Sequence, residues 1–123
     1  MIEQRTYRNQ FSAQRFRSFT VNYKETDLWI GVDPDSFRGE MCEVALAKVI
    51  ALRTEMEAYL LIDPVFGKTF EPHTVKPNAP EIVNRIADAA RRAGVGPMAA
   101  VAGAFSEMVG QHLVQQFSIQ EIV

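Results

Sequence analysis

Between Gly39 and Leu61 the apolar positions Met41, Val44, Ala45, Val49, Leu52, Met56, Tyr59 and Leu60 recur at helical spacing. That period sets side chains on one side of an α-helix, so one long face must be buried. Asp63 and Pro64 end the run, because proline lacks an amide hydrogen and disfavours a helical residue before it. Upstream, Asp33, Pro34, Asp35 and Ser36 punctuate the chain and offer N-cap side chains for the helix.

Before this helix, Phe19, Val21 and Tyr23 alternate on one parity, and Leu28, Ile30 and Val32 form a second alternating run. Alternation is strand periodicity, and Lys24 to Asp27 between the runs are turn-compatible. The reading is an antiparallel hairpin with a loop of about four residues. Tyr7 and Phe11 extend its first strand.

After Pro64, a short strand is expected over Val65 to Phe70. Glu71 to Pro80 holds Pro72, Pro77 and Pro80 and must be a loop. Pro80 suits the first position of a second helix with Ile82, Val83, Ile86, Ala89 and Ala90 inward, and Gly94 is its stop. Pro97 opens a third helix whose stripe is Met98, Val101, Ala102, Phe105, Met108, Val109 and Leu113. Phe117, Ile119, Ile122 and Val123 suggest a strand beginning. The fold class is α/β in the α+β sense, layered, with one core in a single domain over residues 1–123.

Hydrophobic residues at 47% and charged residues at 23% place the chain among folded globular proteins. A net charge of -2 supplies no global field for nucleic acid or an anionic membrane, and neither is expected as a partner. Arg5, Arg8, Arg15 and Arg17 are a local exception, read as solvated strand ends with an anionic ligand or RNA as the alternative. Cys42 is the single cysteine, which excludes an internal disulfide and a cysteine-rich zinc site. The charged start lacks the apolar core of a signal peptide, and no run approaches the ~20 apolar residues of a membrane span. A cytoplasmic protein is expected.

The stretch Gly94 to Phe105, GVGPMAAVAGAF, is where a ligand is expected. Amides at a helix start bind phosphate or carboxylate when no large side chain shields them. The candidate residues are Gly94, Gly96, Pro97, Met98, Ala99, Ala100 and Gly103. The competing reading is that small residues let this helix lie close against a neighbouring element. The stretch is neither a P-loop nor a dinucleotide fingerprint. His73 and His112 lack partners at metal-ligand spacing, and no metal site is expected. His73 reads as a surface histidine, with an acid-base or ligand-contacting role as the alternative. Cys42, beside Met41, Val44 and Ala45, reads as a buried and inert thiol. Glu25, Asp27, Asp33 and Asp35 read as turn and cap residues.

KETDLWIGVD (Lys24 to Asp33) and RRAGVGPMAAVAGAFSEMVG (Arg91 to Gly110), with DPVFGKTFEP and NAPEIV between them in order and spacing, resemble an uncharacterised bacterial and archaeal family allied to the ApbE-like flavin transferases. The resemblance runs along nearly the whole chain and implies the N-terminal half of an ApbE-like domain. It implies a flavin, FAD or FMN, at the glycine-rich helix start, with magnesium only where the second half is present. An Asn-Gly-Gly-Asp type motif is expected shortly after Val123. The Lys-Gly-Tyr pattern of the true transferases is absent from Pro97 to Ala104, so FMN-transferase activity carries over less securely than the fold. Relatives in anaerobes imply a sulfur-assimilation alternative, and an assembly domain without catalysis is a third. A chain ending at QEIV is expected to be truncated, a gene fragment, a homo-oligomer, or completed by another polypeptide.

Overall fold

A computed structural model describes residues 15–123, so the expectations for Arg5, Tyr7, Arg8 and Phe11 lie outside the described residues. Two strands come first, β1 (Arg17–Tyr23) and β2 (Thr26–Val32). Three helices follow, α1 (Glu40–Ile62), α2 (Glu81–Ala93) and α3 (Val101–Gln116), with 3-10 turns at Pro64–Gly67 and Pro97–Ala100. This is the α+β class expected from the pattern. The chain divides into two compact units, one holding the residues up to Lys48 together with Val109–Val123, the other Val49–Met108. The boundaries fall inside α1 and α3.

In the first unit, β1 and β2 pair antiparallel from Arg17↔Val32 to Tyr23↔Thr26. The register puts Val21 opposite Leu28 and Phe19 opposite Ile30, and Val21, Leu28, Ile30 and Val32 are buried. The turn is two residues, Lys24 and Glu25, because Thr26 and Asp27 are already paired, and Lys24 takes a positive φ of 53°. The four-residue loop is therefore corrected.

The far edge of β2 is covered by the end of the same chain. Val32 bridges Ile122, the Gly31 amide donates to the Val123 carbonyl at 3.0 Å, and the Val123 amide returns the bond at 2.9 Å. Asp33 fixes this segment. Its Oδ1 accepts the amides of Glu121 at 2.9 Å and Gln120 at 3.2 Å, while Oδ2 accepts the Ser36 hydroxyl at 2.7 Å. The Ser36 hydroxyl, aided against the cost of burial by the amides of Glu121, Gln120 and Ser36, holds the Asp33 carboxyl below its ordinary value. Asp33 and Ser36 thus serve a turn and the terminal segment rather than the N-cap of α1, which begins at Glu40.

Along the first turns of α1, Met41 and Ala45 are buried, but Cys42 is exposed. One residue is about 100° of helix, enough to turn the thiol from the inward face to the outward one. The buried reading of Cys42 is corrected.

In the second unit, Val49, Leu52, Met56 and Tyr59 continue the buried face of α1. Pro64 then opens a 3-10 turn, not a strand. The Asp63 carbonyl accepts the Phe66 amide, and the Val65 carbonyl accepts those of Lys68 and Thr69. Short apolar runs do not distinguish strand from turn by pattern alone. The turn drives Phe66 into the core edge-on to Tyr59, with ring centroids 5.4 Å apart. Helix α2 buries Ile82, Val83, Ile86, Ala87 and Ala90, and Pro80 stands one residue before it. Gly94 ends it in the left-handed region, its amide reaching Arg91 while the Val95 amide reaches Ala90. Helix α3 buries Ala104, Phe105, Met108, Val109 and Leu113, whereas Met98 and Ala102, assigned to its stripe, are exposed.

Gly31 leaves no room for a side chain in the sheet. A Cβ there would stand 2.8 Å from the Trp29 ring edge, 3.1 Å from Val123 Cγ2 and 3.2 Å from Phe16 Cβ. Gly31→Ala is expected to cost about 1–3 kcal/mol through overpacking, read as a lower urea midpoint at unchanged slope.

Candidate functional site

The glycine-rich helix start separates into residues spent on packing and residues left open. Gly96 is buried because a Cβ on it would overlap the Thr69 carbonyl oxygen and stand 2.9 Å from Phe70 Cα. Two backbones touch here, and only glycine fits. Pro97 is buried beside it and opens the 3-10 turn that leads into α3. Gly94 is exposed and shapes the end of α2, and Met98 is 41% exposed.

Ala99, Ala100 and Gly103 behave differently. They line a concavity of about 350 Å³ with Arg85, Asp88, Arg92 and Glu107. A Cβ built on Gly103 meets nothing within 4 Å. Glycine inside a helix costs about 1 kcal/mol relative to alanine, and at Gly103 no packing among the described residues requires it. The rim carries both signs of charge. Arg85 is held by Glu81 and Glu107, Arg91 by Asp88, and Arg92 stands 3.9 Å from Asp88 at the outer limit of an ion pair. Arg92 is the rim cation most easily turned toward an anion.

Sequence reasoning missed a polar cluster at the end of α1. Asp63, 6% exposed, accepts the Tyr59 hydroxyl at 2.6 Å and meets His73 Nε2 at 3.0 and 3.1 Å through its two oxygens. The Tyr59 oxygen in turn accepts the Lys76 amide at 2.9 Å. An ionised carboxylate only accepts, so Nε2 is the ring nitrogen carrying the proton toward it. Burial pushes the Asp63 carboxyl up, but the hydrogen bonds from Tyr59 and His73 and the charges of His73 and Lys76 outweigh it and hold the group below its ordinary value. Burial, then the hydrogen bond to Asp63 and its charge, push the Tyr59 hydroxyl up against the opposing Lys76 amide. The unpartnered surface reading of His73 is therefore corrected: the cluster staples the proline-rich loop to α1. The i,i+4 spacing of Tyr59 and Asp63 was the visible signal, whereas the return of His73 depends on the path of the loop.

His73 also lines a second concavity, of about 480 Å³, with Asn84, Arg85, Asp88 and Arg91. Arg85 and Asp88 border both concavities. In the first unit, burial and the Lys48 charge push His112 below its ordinary value. Among the described residues no three His, Cys, Asp or Glu side chains are grouped to hold a metal ion. No helix of the described residues is long and apolar enough to cross a membrane. Arg15 pairs with Glu121, and the Arg17 guanidinium stacks 4.5 Å over the Phe37 ring, which gives both a place in the first unit without a phosphate.

The family described as "AbpE bacteria" matches residues 8–123 of the chain. Among curated relatives, the chain is 39% identical over 98 residues to the "UPF0280 protein" of Methanococcus vannielii, an alignment covering 80% of this chain and 38% of that protein. It is 36% identical over 98 residues to the "UPF0280 protein" of Archaeoglobus fulgidus, covering 80% of this chain and 40% of the relative. The matched region is about two-fifths of the length of these relatives.

Two outcomes are expected at these residues. Gly96→Ala should cost about 3 kcal/mol, because the clash is with backbone that cannot rotate away, and chemical denaturation would show a large drop in midpoint. Asp63 behaves oppositely to a group stabilised by protonation. Its depressed folded pKa contributes stability that is full above the ordinary value of 3.8 and is lost as pH falls through the folded value. Asp63→Asn should therefore be less stable than the parent at pH 7, with the gap closing below pH ~4 when urea midpoints are compared across pH.

Proposed function

The chain belongs to the AbpE bacteria family, and on that premise we propose that it contributes one wall of a site for a phosphate-bearing ligand of the flavin-nucleotide class. The observation that carries this reading is Gly103, a glycine inside α3 that lines an open concavity, with no neighbour among the described residues to explain it. Ala99 and Ala100 beside it keep the helix backbone approachable by a ring or a phosphate. Arg92 and Arg85 on the rim supply positive charge, at the expense of ion pairs that are solvent-exposed and weak.

The resemblance to ApbE-like flavin transferases supports the flavin class in particular. Gly94, Gly96, Pro97 and Met98 act in this reading by fixing the turn that presents the wall, and Ala99, Ala100 and Gly103 act by contact. A flavin supplies redox chemistry when bound, and these residues would hold it and keep water from one face. Catalysis, including FMN transfer, calls on groups beyond this wall.

A second reading, an assembly domain without catalysis, takes the same open face of α3 as a packing surface for a partner helix. Titration of the purified protein with FMN and FAD, followed by quenching of flavin fluorescence, separates the two. Gly103→Ala is expected to raise stability by about 0.5–1 kcal/mol while weakening flavin binding, and Gly103→Leu should abolish binding with the fold intact. Saturable binding that ignores both substitutions would remove the wall from the site, and absence of binding to either flavin would refute the reading.

A further inference from the structure

Four large apolar side chains within ten residues of the second unit face solvent: Leu61 at 83% exposure, Ile62 at 65%, Val65 at 53% and Phe70 at 93%. Single exposed apolar residues are ordinary, but a cluster of this size on one short stretch marks a contact surface. The stretch is also held firmly. Asp63 in its midst is buried and hydrogen-bonded to Tyr59 and His73, Phe66 is fully buried, and the backbone of Thr69 and Phe70 lies against Gly96. An apolar side chain displayed on a fixed backbone loses little freedom when a partner covers it, which is the property of an interface anchor.

The helix that leads into the cluster points to what the partner is. Over its second-unit residues, α1 buries Val49, Leu52, Met56 and Tyr59, while Ala51, Ala58, Leu61 and Ile62 lie exposed. A helix apolar on more than one face is suited to the interior of a larger domain, with neighbours on both sides. The matched region is 38% of the Methanococcus vannielii relative and 40% of the Archaeoglobus fulgidus one, which leaves about three-fifths of each outside it.

We propose that Leu61, Ile62, Val65 and Phe70 form the surface on which the remaining region of an AbpE-family domain docks, with Phe70 as its central anchor. The occupant is defined by apolar chemistry and by family, and the surface shares no residue with the ligand wall, although the Phe70 backbone lies against Gly96 of the turn that presents that wall. Nothing in this inference depends on flavin binding.

The test supplies that region directly. The 123-residue chain, carrying an affinity tag, is coexpressed with the unmatched three-fifths of the Methanococcus vannielii relative as a separate polypeptide. Recovery of the two in equal amounts is expected, and Leu61→Asp and Phe70→Asp should each lower recovery of the second polypeptide at least tenfold. Because both side chains are exposed, the melting midpoint of each isolated variant should stay within about 3 °C of the parent, which separates lost docking from lost folding. Failure to recover the second polypeptide, or recovery indifferent to both substitutions, would overturn the proposal. Light scattering decides the remaining occupant: a dimer of the chain alone that both substitutions dissolve would give the surface to a second copy and likewise overturn it.

Discussion

At Gly96 two stretches of backbone meet with no side chain between them, and that contact ties the 69–70 segment to the turn before α3. The approach sets where the 69–70 segment runs and where the turn into α3 begins. Side-chain contacts can adjust by changing rotamer, but a carbonyl against an α-carbon cannot. The contact also explains why small residues near a helix start are not all alike. Gly94 answers to a left-handed φ of 71° and Gly96 to close approach, whereas neither demand applies to Gly103. A stretch that reads as one motif serves separate physical ends.

Two carboxylates, the half-buried Asp33 and the buried Asp63, organise parts of the chain that lack regular structure. Asp33 gathers the amides of residues 120 and 121 and the Ser36 hydroxyl, and Asp63 gathers the Tyr59 hydroxyl and the His73 ring. In each case the irregular segment is separated in sequence from the carboxylate that anchors it, and the bonds are charge-assisted, which strengthens them over neutral ones. A proline-rich loop cannot form a ladder of its own, because its prolines donate nothing. An acceptor at the end of a helix is the economical substitute.

What was legible in the sequence follows the range of the interaction. Helical spacing from Met41 to Tyr59, alternation from Phe19 to Val32 and the stop at Gly94 are local, and each matches the structure. Residues 65–70 were misjudged because a short apolar run carries no period, and Cys42 because one step round a helix separates inward from outward. The Asp63 and His73 pairing was half visible. The i,i+4 link to Tyr59 could be read, while the return of the loop is a tertiary fact. At the candidate wall, the small residues were visible, but their division between packing and open space rests on the 69–70 backbone, far away in sequence.

Trp29 is the single tryptophan of the chain, and the edge of its ring covers the bare backbone of Gly31, the residue whose amide and carbonyl both bond Val123. Its emission therefore carries an optical record of how the last residues sit on the sheet. The second unit holds Tyr59 and no tryptophan, so tryptophan emission belongs to the first unit alone. Excited selectively, one molecule reports on the hairpin without a label.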